Sequence, residues 1–195
     1  MTMLDERPAS ARRAMIDCQL RVSGVNDPAV LAAMDAVARE EFVPASIKAN
    51  AYIDRAVPLG EGHFLPAPLV QGRMLVEAVV QPGEKVLVVS ACGYLGALVT
   101  AMGALATTIS PATAATRKQG GPYDLILIDG AVEQLPSSIA AMLADNGRVV
   151  TGLNERGVTR LSTGRKAAGT VTLLPLADIG MPVLAEFAAP NRWSF

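Results

Sequence analysis

The stretch PGEKVLVVSACGYLG, residues 82–96, decides the fold that this chain is expected to adopt. A Pro-Gly turn and a charged pair precede the unbroken apolar run of residues 86–89, and small residues then lead into a second apolar run. Such a run is typical of a strand buried on both faces of a parallel sheet, so the order is strand, tight turn and helix. In nucleotide-binding α/β folds this turn carries glycines that let the backbone approach the ligand, whereas here it holds only Gly93.

The remaining elements follow from hydrophobic spacing and turn residues. The N-terminal part predicts a helix over residues 11–24 that ends at Gly24, and a second that begins at Pro28 after a cap at Asn26 or Asp27. Residues 51–63 are rich in turn formers and predict a loop beside a cleft. Further helices are predicted over residues 46–52, 69–80, 95–102, 112–118 and 139–144, the last closed by a turn at 145–147. Buried strands are predicted over 104–109, 123–129 and 148–151, and antiparallel strands over 158–161, 169–176 and 183–188.

The segment between the predicted strands 104–109 and 123–129 is too short for a full doubly wound unit. That unit needs a helix of about 11 residues, a strand of about 5 and another helix. Residues 110–122 leave room for one short helix. The sequence therefore predicts a three-layer α/β sandwich that lacks an outer strand-helix unit and carries an N-terminal helical extension.

Length and composition favour one globular domain. We expect residues 1–195 to form it, with 1–80 as the helical and loop extension and 81–195 as the sheet core. A net charge of −1 gives no reason to expect a nucleic acid partner, and the two distant cysteines lack metal-ligand spacing.

The N-terminus has acidic residues and no apolar run, so we expect no signal peptide and a cytoplasmic protein. The aromatic residues Trp193 and Phe195 are expected either to dock on the domain or to cover a partner surface.

A membrane helix is the alternative for residues 86–116, which hold no charged residue. Three glycines, several threonines and the strand-like run at 86–89 favour a soluble sheet instead.

The same uncharged stretch also lacks a residue that a cofactor would contact. Adenosine cofactors in such sheets rest their ribose on an acid after the second strand, and no Asp or Glu occurs between Glu84 and Asp124.

Four stretches resemble the protein-L-isoaspartate O-methyltransferase family. They are MIDCQL at 15–20, VAREEFVP at 37–44, AYID followed by PLGEG within 51–62, and YDLILIDGA at 123–131 with Pro136 shortly after. Each is weak alone, but their order and spacing agree from residue 11 onward. The resemblance implies a Rossmann-like, seven-stranded sheet of methyltransferase type, S-adenosylmethionine as methyl donor, and methylation of the carboxylate of isoaspartyl residues in damaged proteins.

The resemblance also implies two sets of site residues. The cofactor-binding set is Ser90, Ala91, Cys92, Gly93, Tyr94 and Asp129. The substrate-loop set is Gly60, Gly62, His63, Phe64 and Pro66. The chain departs from the family's pattern in both sets: the turn is one residue shorter with Ser90 and Cys92 in place of glycines, and Phe64 and Pro66 replace the hydroxyl residues.

Three side chains have competing interpretations. His63, the only histidine, is a candidate general base or a loop residue facing water. Asp129, at the end of a strand, is a candidate catalytic residue or the cap of a turn. Cys92 is either a reactive thiol at a helix N-terminus or a small residue that fills the place of a glycine. No metal site is predicted.

Two functions remain open from the sequence. The first is a divergent isoaspartyl methyltransferase that still binds S-adenosylmethionine and a protein substrate. The second is a pseudoenzyme, a catalytically inactive methyltransferase fold kept for protein binding or oligomerisation. A missing outer strand would expose a sheet edge, and a free edge invites another strand from a partner or a second copy.

Overall fold

The structure, a computed structural model, describes residues 6–117 and 119–189. Trp193 and Phe195 lie outside these residues, as does Lys118 at the end of a predicted helix. Helix α1 (Glu6–Met15) continues into a π-helical turn (Ile16–Leu20) and a 3-10 turn (Arg21–Ser23). Gly24 ends this run with a φ of 86°, a left-handed conformation that glycine adopts without steric cost.

Helix α2 (Pro28–Ala36) begins as predicted, because the Asp27 carboxylate accepts hydrogen bonds from two amides of its first turn. Two 3-10 turns follow (Arg39–Phe42 and Ala45–Asn50), the second in place of the short predicted helix. The predicted loop at 51–63 contains a correction, because strands β1 (Val57–Gly60) and β2 (His63–Leu65) form an antiparallel hairpin. Helix α3 (Pro68–Ala78) leads from the hairpin to the sheet.

The sheet region alternates strands and short helices. Its elements are β3 (Lys85–Val89), α4 (Tyr94–Ala101), β4 (Leu105–Ile109), α5 (Pro111–Thr116), β5 (Tyr123–Val132), α6 (Ser137–Ala141), β6 (Leu143–Glu155), β7 (Val158–Ala167) and β8 (Thr170–Asp178). The strand order is β4-β3-β5-β6-β7-β8, with the first four parallel and the last two antiparallel. Helices cover both faces, so the expected α/β sandwich with antiparallel C-terminal strands is confirmed.

The alternation of side chains along the strands divides the core into two layers. Val86 and Val88 of β3 face the layer that contains helices α1 to α4, whereas Leu87 and Val89 face the layer that contains α5 and α6. A strand buried on both faces needs apolar residues at every position, which explains the unbroken run 86–89. Strand β3 lies between β4 and β5, so the turn after it lies at the carboxyl edge of the parallel strands.

Strand β4 departs from its prediction as a buried strand. It is the edge of the sheet in the part of the chain that the structure describes, and no residue of Leu105–Ile109 is fully buried. Its apolar and β-branched sequence predicts a strand but not its place in the sheet. The absence of a strand beyond β4 among the described residues confirms the truncated outer edge.

The C-terminal part holds two further corrections. The predicted strand over 183–188 is a single bridge between Val183 and Ala131 followed by a 3-10 turn, Ala185–Phe187. The predicted turn at 145–147 lies within β6, whose pairing with β5 is irregular there, and α6 ends at Ala141 instead of residue 144. Among the described helices, none has the length and apolarity needed to cross a membrane.

Candidate functional site

Three polar side chains lie buried together below the carboxyl ends of β3 and β5. Gln71 Nε2 donates to both carboxylate oxygens of Asp129, at 3.0 and 3.1 Å. Ser90 Oγ donates to Asp129 Oδ2 at 2.8 Å. Both oxygens of Asp129 are therefore occupied by partners within the protein. Buried carboxyl groups are retained where such hydrogen bonds satisfy them.

The buried guanidinium of Arg39 connects this group to the N-terminal part of the chain. Its Nη1 donates to Gln71 Oε1, its Nη2 to the Pro66 carbonyl, and its Nε to the Ala51 carbonyl at 2.7 Å. The guanidinium also lies 5.0 Å from the centre of the Tyr94 ring, within the range of a cation–π contact. One side chain thus holds together the segment before the hairpin, the residue after it, and helix α3.

Burial is the main influence on the acidity of this cluster. It raises the pKa of Asp129 to about 6, while hydrogen bonds from Gln71 and Ser90 and the charge of Arg39 act in the opposite direction. Burial likewise raises the pKa of the Cys92 thiol to about 11, and the nearby Asp129 carboxylate adds to that rise. A thiol with a raised pKa is a weak nucleophile, so Cys92 fits the structural interpretation better than the reactive one.

The side chain of Ser90 closes the turn after β3. Ser90 is 4% exposed, and its hydroxyl, besides donating to Asp129, accepts a hydrogen bond from the Gly93 amide at 3.2 Å. Gly93 has a φ of 83° and precedes helix α4, where free amides would point at an anionic ligand. The serine hydroxyl satisfies the Gly93 amide from inside the protein, a contact that glycine at position 90 cannot make.

A cleft of about 450 Å³ lies beside this turn at the carboxyl edge of the sheet. Its lining residues come from the β1–β2 hairpin and from the turns after β3 and β4: Leu59, Gly60, Glu61, His63, Ala91, Ser110, Pro111 and Ala112. Ser110 occupies the position after the second strand, where an acid is expected in adenosine-binding sheets. Its hydroxyl accepts from the Thr113 amide at 3.1 Å and so caps α5.

His63 is held by a partner far away in the sequence. Its Nε2 lies 2.8 Å from Glu186 Oε1 in the C-terminal 3-10 turn. The side chains are 30% and 20% exposed, so the histidine is neither free in water nor deeply buried. The pair fastens the hairpin to the C-terminal segment beside the cleft.

The substrate-loop residues do not form one cluster. Gly60 and His63 line the cleft, and Gly62 is exposed with a φ of 79° at the tip of the hairpin. Phe64 is exposed at 41%, whereas Pro66 is buried and offers its carbonyl to Arg39. Neither Phe64 nor Pro66 supplies a hydroxyl to the cleft.

The predicted cofactor-binding residues also lie in different places. Ser90 and Asp129 meet in the buried cluster, Tyr94 packs beneath Arg39, and Ala91 alone among these residues lines the cleft. The sequence prediction missed Arg39, Gln71 and Glu186. Arg39 had a signal in its position inside a family-like motif, but Gln71 and Glu186 resemble ordinary polar positions of a helix and a surface turn.

The sheet order, the turn after β3 and the cleft beside it define a Rossmann-like domain of the methyltransferase type. The chain matches the family described as Protein-L-isoaspartate(D-aspartate) O-methyltransferase (PCMT) over residues 10–110. Protein-L-isoaspartate O-methyltransferases of Methylorubrum populi and Koribacter versatilis are 34% and 33% identical to it. The alignments cover 76% and 86% of this chain, and 82% and 87% of those proteins.

Solved structures agree on the fold. A protein-L-isoaspartate O-methyltransferase from Plasmodium falciparum, in complex with S-adenosyl-L-homocysteine, superposes with a TM-score of 0.71 at 18% identity. The superposition covers 92% of this chain and 98% of that one. The chain belongs to the protein-L-isoaspartate O-methyltransferase family and is a protein-L-isoaspartate O-methyltransferase-like protein.

Proposed function

We propose that this protein is a binding module built on the methyltransferase fold, and that the family's site for S-adenosylmethionine is closed in it. The observation that carries this proposal is the double hydrogen bond of Ser90. Its hydroxyl joins the Asp129 carboxylate to the Gly93 amide, so the turn is completed without a ligand. A cofactor that needs the Gly93 amide would have to break its partly buried hydrogen bond to Ser90.

The residue after strand β4 does not fit the cofactor either. The ribose of an adenosine cofactor needs a carboxylate after β4, and Ser110 stands there with its hydroxyl engaged in capping α5. Phe64 of the hairpin and Pro66 directly after it stand where the family pattern has hydroxyl residues. The turn, the ribose contact and the hairpin segment therefore all depart from the pattern, and these residues do not fit the cofactor.

A divergent methyltransferase is the second candidate, and one observation favours it. The cleft of about 450 Å³ lies beside the turns after β3 and β4, and Glu61 of the hairpin is among the residues that line it. A carboxylate supplied from the hairpin would then replace the missing acid as the ribose acceptor. In this candidate the protein substrate would approach from the hairpin side.

Isothermal titration calorimetry of the full chain with S-adenosylhomocysteine separates the two candidates. The binding-module proposal expects no heat of binding at millimolar ligand from protein shown to be folded by circular dichroism. A micromolar Kd, about −8 kcal/mol, would overturn it. In that case Glu61→Gln tests the second candidate, which requires binding to weaken when the carboxylate becomes an amide.

A restored turn supplies the matched control. We expect the Ser90→Gly/Cys92→Gly variant to show no heat of binding either, because the ribose contact is still missing after β4. If this variant alone regains binding, the turn is the only obstacle and our account of Ser110 is wrong. Tyrosine fluorescence and circular dichroism of the variant establish that it remains folded.

A further inference from the structure

We propose that two copies of this chain pair through β4, antiparallel and about a two-fold axis at Thr107, so that one sheet continues across both. The second copy would be the partner in the binding role proposed above, and in this respect the inference rests on that role. The geometry itself comes from the hydrogen-bond polarity of one sheet edge, the residues on that edge, and its contrast with the opposite edge.

The polarity of the β4 backbone is fixed by its pairing with β3. The Leu105 amide donates to the Glu84 carbonyl at 2.8 Å, and the Ile109 carbonyl accepts from the Ser90 amide at 3.0 Å. In a parallel ladder the amide and carbonyl of one residue point to the same side, and the side alternates along the strand. The groups of Leu105, Thr107 and Ile109 therefore face β3, and those of Ala106 and Thr108 face outward.

These outward groups match a second copy of themselves. With the axis at Thr107, Ala106 lies opposite Thr108 of the second copy, and each such pair exchanges two hydrogen bonds. Leu105, which is 61% exposed, lies opposite Ile109 of the second copy and is covered by it. The uncharged strand LATTI thus satisfies both its backbone and its exposed leucine by pairing with itself.

The two edges of the sheet are not equally protected. Edge strands usually carry charged residues, proline or bulges that prevent pairing with another chain. Strand β8, at the other edge, holds Pro175 and Asp178, and its pairing with β7 contains a register shift. Strand β4 holds none of these, and no charged residue occurs from residue 86 to residue 116. The unprotected edge is therefore β4.

Helix α4, which packs against β4, has only small residues outside the core. The residues of α4 that are not buried are Ala97, Thr100 and Ala101, all of them small and uncharged. Small residues allow two such helices to approach on the same face of a continuous sheet. Gly96 brings α4 directly against Thr108, since an added Cβ there would overlap the threonine hydroxyl. That contact also shows that Thr108 points toward α4 and Thr107 toward the other face.

Sedimentation velocity of the full chain, without any cofactor, tests the assembly. We expect a dimer whose population rises with protein concentration. Leu105→Lys should raise the dimer dissociation constant at least about tenfold, because the leucine loses its apolar partner. Leu174→Lys is the matched control, since Leu174 is also 61% exposed but lies on β8, and we expect it to dimerise as the wild type does. A monomer at all concentrations, or equal effects of both variants, would overturn the proposal.

Two further variants address folding and register. Ala106→Pro removes an outward amide and leaves the ladder to β3 intact, so it should give a folded monomer. Thr107→Cys, in a Cys18→Ser background, should form an intermolecular disulfide on mild oxidation. Facing residues of a non-hydrogen-bonded pair lie about 4.5 Å apart at Cα, within disulfide range. Leu105→Cys in the same background should not cross-link, and cross-linking of both would refute the register.

The sedimentation and calorimetry experiments can refute the two proposals separately. Pairing through β4 does not involve Ser90, Asp129 or the cleft, so a monomer would leave the calorimetric result unchanged. Conversely, tight binding of S-adenosylhomocysteine would overturn the closed site and leave the dimer measurement standing. If the chain is a monomer that nevertheless recruits an unrelated strand at β4, the proposed second copy is wrong.

Discussion

Replacement of Asp129 by asparagine tests whether burial or the charge of Arg39 governs this carboxyl group. Burial raises its pKa from 3.8 to about 6. A carboxyl whose pKa is higher in the folded protein stabilises the fold below its unfolded pKa, and this contribution is lost as the pH rises through the folded pKa. The rise corresponds to about 3 kcal/mol of unfolding free energy, lost between about pH 4 and about pH 7.

Urea denaturation at a series of pH values gives the measurement. The unfolding free energy of the wild type minus that of Asp129→Asn should fall by about 3 kcal/mol between about pH 4 and about pH 7, because asparagine does not titrate. Asp145→Asn, which changes an exposed aspartate to an amide, is the matched control. A difference that grows with pH would mean that the folded protein prefers the charged carboxylate, and the dominance of burial would be refuted.

Three further predictions concern the same region. Ser90→Ala should lower the unfolding free energy by about 2 kcal/mol in urea denaturation, because a buried carboxylate loses a donor, and an unchanged midpoint would contradict the closed turn. Gly96→Ala should cost about 1–3 kcal/mol through overlap with Thr108, and the Gly96→Ala/Thr108→Ala variant should recover part of this loss in the same assay. His63→Gln and Glu186→Gln should each weaken the hairpin by about 0.2–1 kcal/mol, seen as faster amide exchange in β1 and β2. The double variant should add little, and additive effects would show that the two side chains do not interact.

The central strands could be predicted from the sequence because burial on both faces imposes an unbroken apolar run. Residues 86–89 and 123–129 meet this condition, and β3 and β5 lie side by side in the sheet. Strand β4 meets it only in part. Its residues suit either an edge or an interior strand, and only the short spacing of residues 110–122 indicates that its outer neighbour is missing.

The candidate site was less predictable because its partners are distant along the chain. Gln71 is 58 residues from Asp129, and His63 is 123 residues from Glu186. A single glutamine in an apolar helix gives no sign that it faces a buried carboxylate. The strand prediction for residues 183–188 was wrong for another reason. A short apolar pattern forms a strand only where a neighbouring strand is free to pair with it. In this segment only Val183 forms a bridge.

The shortened segment after β4 connects the two proposals physically. In this class of fold the second strand ends at the acid that holds the ribose, and its outer edge is covered by a further strand. Here residues 110–122 contain no acid, and the residues of this segment that the structure describes form α5 but no strand, so the acid and the covering strand are missing from the same place. One shortening therefore removes a cofactor contact and exposes the Ala106 and Thr108 backbone groups. A chain that still depended on the cofactor would lose its activity by this change, whereas a chain that works by association gains a surface from it. We therefore expect the loss of cofactor binding and the pairing through β4 to occur together in this protein.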